Sequence, residues 1–268
     1  MNQRYMVSVP EEGHMNKLRK QTDRLVRELI ALRKSRKSLD DFFYSQLINF
    51  YENCRLMHFF LGKYKYNHDL FQIAYRQYFV FLVSCWETFF RDMFVYVYTR
   101  DSEAMGRLLE YLKINDHAGV SEEITLSELL SKHFNFQKFS DLEMAYNSMW
   151  EDNFMKSICT TDIGPCGANG KMFKHFCIAA VFDDWHSVIE RTFSTRHSVV
   201  HDANYRPPVD LEFIQRAESV FLIVPQFATH LIAKKYNLAR IAFTDGSSRG
   251  PYIFSVEDIL SNDWQLRL

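Results

Sequence analysis

The segment from His68 to Arg100 contains neither glycine nor proline and is dominated by apolar and aromatic residues. It predicts one long helix in the middle of a bundle, with a single exposed edge. The polar positions that form this edge are Gln77, Ser84, Glu87, Thr88 and Arg91. The whole chain has 9 glycines and 6 prolines in 268 residues, and Asn-Gly and Asp-Gly turns are scarce. The sequence therefore predicts an all-α protein.

The rest of the chain divides into three regions around this helix. Residues 1–39 predict a basic amphipathic helix, residues 40–238 a helical domain with a loop near 157–171, and residues 239–268 a tail that packs on the same domain. Proline and glycine concentrate in the loop, and the tail combines turn residues with short apolar runs. The further predicted helices lie near 15–38, 40–61, 102–114, 126–132, 136–150, 172–201 (with a possible break at Asp183) and 209–236.

The N-terminal helix carries nine basic residues between Lys17 and Lys37, opposed by Asp23 and Glu28. Leu18, Leu25, Leu29 and Leu32 recur at steps of seven, four and three residues, which predicts an apolar face. Two interpretations remain open. The basic residues are either the solvated face of a docking helix or an arm that attracts the phosphates of RNA at low salt.

Charge and cysteine content limit the cellular setting. A formal charge of −1 gives no global attraction to nucleic acid or membrane. Five cysteines, most in apolar surroundings, are typical of reduced thiols in the cytoplasm. The most apolar stretch, YFVFLVSCW, is too short to cross a bilayer. We therefore expect a soluble cytoplasmic protein that does not associate with membranes.

The loop from Cys159 to Lys171 superficially suggests a phosphate cradle. A P-loop needs glycine five residues before its Gly-Lys pair, where this chain has Pro165, and it needs Ser or Thr where Met172 stands. Cys159 and Cys166 lack a second pair at zinc-finger spacing. We therefore predict neither a nucleotide-binding loop nor a zinc site here.

The stretch ERTFSTRHSVVHD, Glu190 to Asp202, contains the candidate site. An apolar stripe is predicted to face other helices, and Arg196 occupies the one slot that the stripe skips. A permanent charge in such a slot is costly unless it is paired or lines a cleft. Spacing alone does not select Arg196, because Arg191 and His197 have a similar separation. The stripe consists of Phe182, Trp185, Ile189, Phe193 and Val200.

The motif RHSVVHD resembles the Arg-x4–6-His signature of HEPN domains, in which a polar residue follows the arginine. Arg196 matches the arginine, His197 the polar neighbour and His201 the terminal histidine. The upstream segment LVSCWETFFRD, Leu82 to Asp92, is similar to the aromatic and acidic segment of HEPN members related to the RiboL-PSP group. The resemblance extends over roughly residues 40–236. Ala203 stands where some HEPN toxins have a tyrosine, so no role of that tyrosine is carried over.

The resemblance implies a helical bundle that forms a homodimer and cleaves RNA without a metal or cofactor, in a toxin, stress-response or phage-defence role. An antitoxin or another regulatory protein is a possible partner. His201 would take the proton from a ribose 2′-OH, Arg196 would hold the phosphate, and His197 would orient the phosphate or protonate the leaving group. Arg196 and His201 lie about 140° apart on a continuous helix. Either the helix distorts there, or a second copy of the motif completes the site.

Glu87 is the fourth candidate residue. It could pair with Arg196 and fix the direction of the guanidinium, or it could pair locally with Arg91. Two other functions also remain open for the whole chain. One is a non-catalytic HEPN-like module that binds RNA, a nucleotide or a protein; the other is a metalloprotein that uses His197 and His201 with a distant acid.

Overall fold

A computed structural model describes residues 12–33, 38–66, 68–114, 123–150, 153–163 and 175–238. The predicted tail at 239–268 and residues 164–171 of the predicted loop lie outside these residues. Residues 157–160 are helical, so the loop begins later than the sequence predicts. In the described part of the chain the structure is helical, with one isolated β-bridge between Ile163 and Phe176 and no named strand. The prediction of an all-α protein is therefore confirmed for this part.

Ten helices follow one another along the described residues. The three longest helices, which span residues 39–63, 69–98 and 211–235, form the centre of the bundle. All three correspond to helices that the sequence predicts. The bounds are α1 Glu12–Arg33, α2 Leu39–Lys63, α3 Asp69–Tyr98, α4 Ser102–Leu112, α5 Leu126–Leu130, α6 Phe139–Asn147, α7 Phe154–Thr160, α8 Ile178–Val181, α9 Trp185–His201 and α10 Leu211–Lys235.

Helix α3 lies in the centre of the core, as its composition predicts. Phe42 of α2 contacts Phe89 in the C-terminal half of α3, while Asn53 donates a hydrogen bond to the carbonyl of Tyr78 in its N-terminal half. The two helices are therefore antiparallel. On the other side, Trp86 packs against Phe193 of α9 and Phe221 of α10. Aromatic side chains thus fill the space between α2, α3, α9 and α10, each contributing a large apolar area.

Local capping explains where these helices begin. Ser38 and Asp41 form a capping box at the start of α2, and Asp210 caps α10 through the amide of Phe213. The predicted helix at 172–201 is two helices, because the chain leaves helical geometry between Val181 and Trp185. The predicted break near Asp183 is confirmed. Residues 172–174 lie outside the described residues, and the prediction is wrong at residues 175–177, because the first helix starts only at Ile178.

Helix α1 docks on the domain through one apolar side and two ion pairs. Leu29 is fully buried. Arg33 makes a two-pronged contact of 2.9 and 2.7 Å with the buried carboxylate of Glu128, and Lys132 pairs with Glu28. Burial would raise the pKa of Glu128, but Arg33 and Thr125 together lower it. Two charged side chains of α1, Glu28 and Arg33, therefore take part in docking, while Arg24 and Arg27 remain exposed.

A second buried ion pair joins α2 to α10. The imidazole Nε2 of His58 lies 3.0 and 3.2 Å from the two carboxylate oxygens of Glu218, a residue with 0% exposure. The hydrogen bond to Glu218 raises the pKa of His58, although burial opposes this shift. The charged imidazole is therefore favoured in the folded state.

This shift predicts that stability falls on the alkaline side of neutrality. Because the folded pKa of His58 lies above its ordinary value of 6.5, its contribution is complete below that pH and is lost as the pH rises through the folded value. We expect the Tm to decrease between pH 6.5 and 9, measured by differential scanning fluorimetry. The decrease should be smaller in His58→Ala. Parallel pH profiles of the two proteins would contradict the assignment to His58.

Among the helices of the described residues, none combines the length and apolar character that a bilayer span requires.

Candidate functional site

Helix α9 carries the motif, and it packs antiparallel to α3. Phe193 lies against Trp86 with ring centroids 5.8 Å apart, while the Val199 carbonyl accepts a hydrogen bond from Arg76, ten residues earlier on α3. Both ends of the motif are therefore held by contacts with one rigid central helix.

Arg196 lies on the face of α9 that is turned toward the core. It follows the buried Thr192 by four residues and precedes the buried Val199 by three, so the three side chains share one side of the helix. Arg196 is half-buried, and its Nε is shielded from solvent without a hydrogen-bond partner among the described residues. A buried guanidinium N–H without an acceptor is costly, which is why it needs an explanation.

Arg191, the other arginine with a suitable spacing, has a structural role. Its guanidinium makes an ion pair of 2.8 Å with Asp210 and lies 3.9 Å above the ring of Phe213. These contacts fix the start of α10 against α9. The surroundings thus distinguish the two arginines where spacing alone does not, because Arg191 has partners for its charge.

The predicted apolar stripe is wrong at its last position. Val200 is 48% exposed, and Val199 is buried in its place. Phe139 of α6 covers the first half of α9 through contacts with Trp185, His186 and Phe193. Val200 lies beyond this cover, so the same side of α9 is buried at its start and exposed at its end.

The two histidines lie on the solvent side of α9. Their side chains are exposed, and the ring centroids of His197 and His201 are 4.3 Å apart. Helix α9 continues without interruption to His201, so the alternative of a distorted helix is not observed. Arg196 therefore faces the core edge while the histidines face solvent, about 140° away in the case of His201. A single chain does not direct the two groups at one point.

Glu87 makes the local pair rather than a pair with Arg196. Its carboxylate accepts hydrogen bonds from Arg91 and from the amide of Gln137. Among the hydrogen bonds of the described residues, none joins Glu87 to Arg196. This arrangement connects α3 to the segment before α6, and it gives Glu87 a structural role in the single chain.

Arg76 is a cation near the motif that the sequence pattern did not select. Its guanidinium donates hydrogen bonds of 3.3 Å to the carbonyls of Val199 and Asp202 at the end of α9. A cation is favourable at the negative end of a helix. Its Nε, like that of Arg196, has no hydrogen-bond partner in the described part of the chain. Arg76 thus adds a second positive charge close to the end of α9.

Metal binding and nucleophilic attack by a thiol have little support in the residues that the structure describes. No cluster of three His, Cys, Asp or Glu side chains is placed to hold a metal ion there, so the histidine pair has no third protein ligand among them. Burial raises the pKa of Cys85 to about 11 and also raises that of Cys159. These two thiols therefore stay protonated at neutral pH and are poor nucleophiles.

No protein-family model, no curated protein and no solved structure matches the chain.

Proposed function

We propose that this protein is a metal-independent endoribonuclease of the HEPN type, active as a homodimer. The observation that carries the proposal is the half-buried guanidinium of Arg196, which lacks a hydrogen-bond partner for its Nε in the described structure and is followed by two exposed histidines, His197 and His201, whose ring centroids are 4.3 Å apart. Arginine forms two parallel hydrogen bonds to phosphate, which suits the backbone of RNA. Exposed imidazoles provide proton transfer near neutral pH.

The residues suit transesterification at the ribose 2′ position. Neutral His201 accepts the proton of the 2′-OH, and the 2′ oxygen then forms a bond to the adjacent phosphorus. The bond from phosphorus to the 5′ oxygen breaks, and that oxygen takes a proton from the imidazolium of His197. Arg196 stabilises the negative charge that develops on the phosphate oxygens. The products are a 2′,3′-cyclic phosphate and a 5′-hydroxyl, and the substrate must be RNA.

A second copy of the chain is needed to bring the two functional groups together. The surface beside the motif is suited to such a contact, because apolar side chains are exposed there on both helices. Val200 follows Arg196 by one turn, and Ile73 precedes Arg76 by three residues on α3. A second copy that covers this surface would remove both apolar side chains from water. Each groove would then contain the arginine of one copy and the histidine of the other.

The reaction class can be tested with labelled single-stranded RNA in EDTA. We expect the wild type to release fragments that end in a 2′,3′-cyclic phosphate, while His201→Ala yields none. Binding of the same RNA without cleavage by the wild type would support the non-catalytic module instead. Activity that disappears in EDTA and returns with a divalent metal would contradict the proposal.

Mixing two inactive variants tests whether the site is shared between copies. After subunit exchange between Arg196→Gln and His201→Ala, half of the dimers are mixed, and in each of these one groove retains both functional groups. We expect about a quarter of the wild-type cleavage rate to return, from the probability of random pairing in a symmetric dimer. A site built within one chain would recover no activity on mixing.

A further inference from the structure

A groove of 360 Å³ runs between α2 and α3. Its floor contains three of the chain's buried polar residues, Gln46, Asn53 and Asp92, and its mouth includes Phe81 and Leu56. Phe81 is 52% exposed. A pocket with an apolar wall and a few inward polar groups is the usual form of a small-ligand site.

Gln46 is the feature that points to a ligand. The residue is 5% exposed, and its Oε1 has no hydrogen-bond partner in the described structure. A buried carbonyl oxygen without a donor costs about 1–3 kcal/mol. A ligand that presents an N–H group to the floor of the groove would recover this cost. The floor therefore favours a ligand that presents a hydrogen-bond donor to Gln46.

The mouth of the groove is suited to a ligand with a flat ring. Phe81 is about half exposed at the mouth of the groove, and bases stack on exposed aromatic rings in proteins that bind single-stranded nucleic acid. Ser84 and Thr88 line the same side of the groove on α3. A nucleobase combines a flat apolar face with an edge of N–H donors, so it satisfies both the mouth and the floor.

We propose that the groove between α2 and α3 binds one unpaired nucleobase, with its N–H edge directed at Gln46 and its face on Phe81. The inference that this groove is a subsite for RNA rests on the proposed function. Ser84 lies about 12 Å along α3 from Arg76, a distance that a few nucleotides of single strand can cover. The base would thus set which position of the RNA enters the cleavage site. A free nucleoside presents the same chemistry and would occupy the same groove.

The test titrates adenosine, cytidine, guanosine and uridine into the wild type and into three variants, with binding followed by NMR. Gln46→Met keeps the side-chain size and removes the acceptor. We expect it to weaken binding about tenfold, the loss of one hydrogen bond, without lowering the Tm. Phe81→Ala should weaken binding by a similar factor through lost stacking. Phe59→Ala is the matched control, because Phe59 is 55% exposed on α2 outside the groove and should leave binding unchanged.

A second set of measurements tests whether the N–H group of the base is needed, and whether the base belongs to RNA or to a free nucleoside. N6,N6-dimethyladenosine lacks the N–H group of adenosine and should bind more weakly if adenosine binds. A short RNA bound by His201→Ala should lose affinity in the double variant with Gln46→Met if the base comes from RNA, and unchanged affinity would restrict the groove to free nucleosides. No binding of any nucleoside at millimolar concentration, or equal binding by wild type and Gln46→Met, would overturn the subsite. Nucleoside binding without RNA cleavage by the wild type would instead reject the proposed ribonuclease activity.

Discussion

Replacing Arg196 by glutamine is expected to reduce the rate of RNA cleavage about 10²–10³-fold, the effect of removing a major electrostatic contact to the transition state. Glutamine retains a polar side chain of moderate length, so the packing between Thr192 and Val199 should change little. The guanidinium charge and its paired donors are lost, and these are the properties that the phosphate requires. Single-turnover cleavage of labelled RNA in EDTA measures the effect. The Tm should stay near that of the wild type, because none of the ion pairs of the described residues includes Arg196.

Arg191→Gln provides the matched control on the same helix. Its guanidinium contacts Asp210 and Phe213, so its loss should lower stability modestly and leave the cleavage rate within a few fold of the wild type. The Asp210 pKa, which the Phe213 amide and Arg191 hold below its ordinary value, should rise in this variant. Equal loss of cleavage in both variants would show that the effect comes from altered packing of α9. Full activity of Arg196→Gln would remove the basis for the proposed site.

The composition and periodicity of the sequence were sufficient to predict the helical fold. The central position of α3 follows from a long apolar segment without helix breakers, and the break before Trp185 was also predicted. The exposed Val200 could not be predicted from helix periodicity, because the cover over this side of α9 comes from Phe139 in another helix. Periodicity predicts which side chains share a face, but not how far the neighbouring element extends.

The candidate site was predicted in part, for a similar reason. The motif selected Arg196 and both histidines, and the structure places them on one uninterrupted helix. Arg76 was missed because its contacts with Val199 and Asp202 join residues more than 120 positions apart. The pair of His58 and Glu218 spans 160 positions and has no local pattern. Long-range polar contacts of this kind depend on how the helices pack, which the order of residues along one helix does not reveal.

The buried pair of His58 and Glu218 predicts the largest effect on stability. Replacing His58 by alanine leaves the fully buried carboxylate of Glu218 without its imidazole partner. Breaking a buried pair from one side costs about 3–5 kcal/mol, and the partial exposure of His58 favours the lower value. We therefore expect the Tm to fall by about 6–12 °C at pH 6.5, measured by differential scanning fluorimetry or circular dichroism.

The control variants separate the loss of the pair from the loss of the side chain. His201→Ala removes an exposed imidazole and should change the Tm by less than about 2 °C, as expected for a surface substitution. Adding Glu218→Gln to His58→Ala removes the buried charge that has lost its imidazole partner, so the double variant should be more stable than His58→Ala alone. If the double variant is instead the less stable of the two, the Glu218 carboxylate is stabilised by its other surroundings. In that case His58 contributes through packing rather than through its charge.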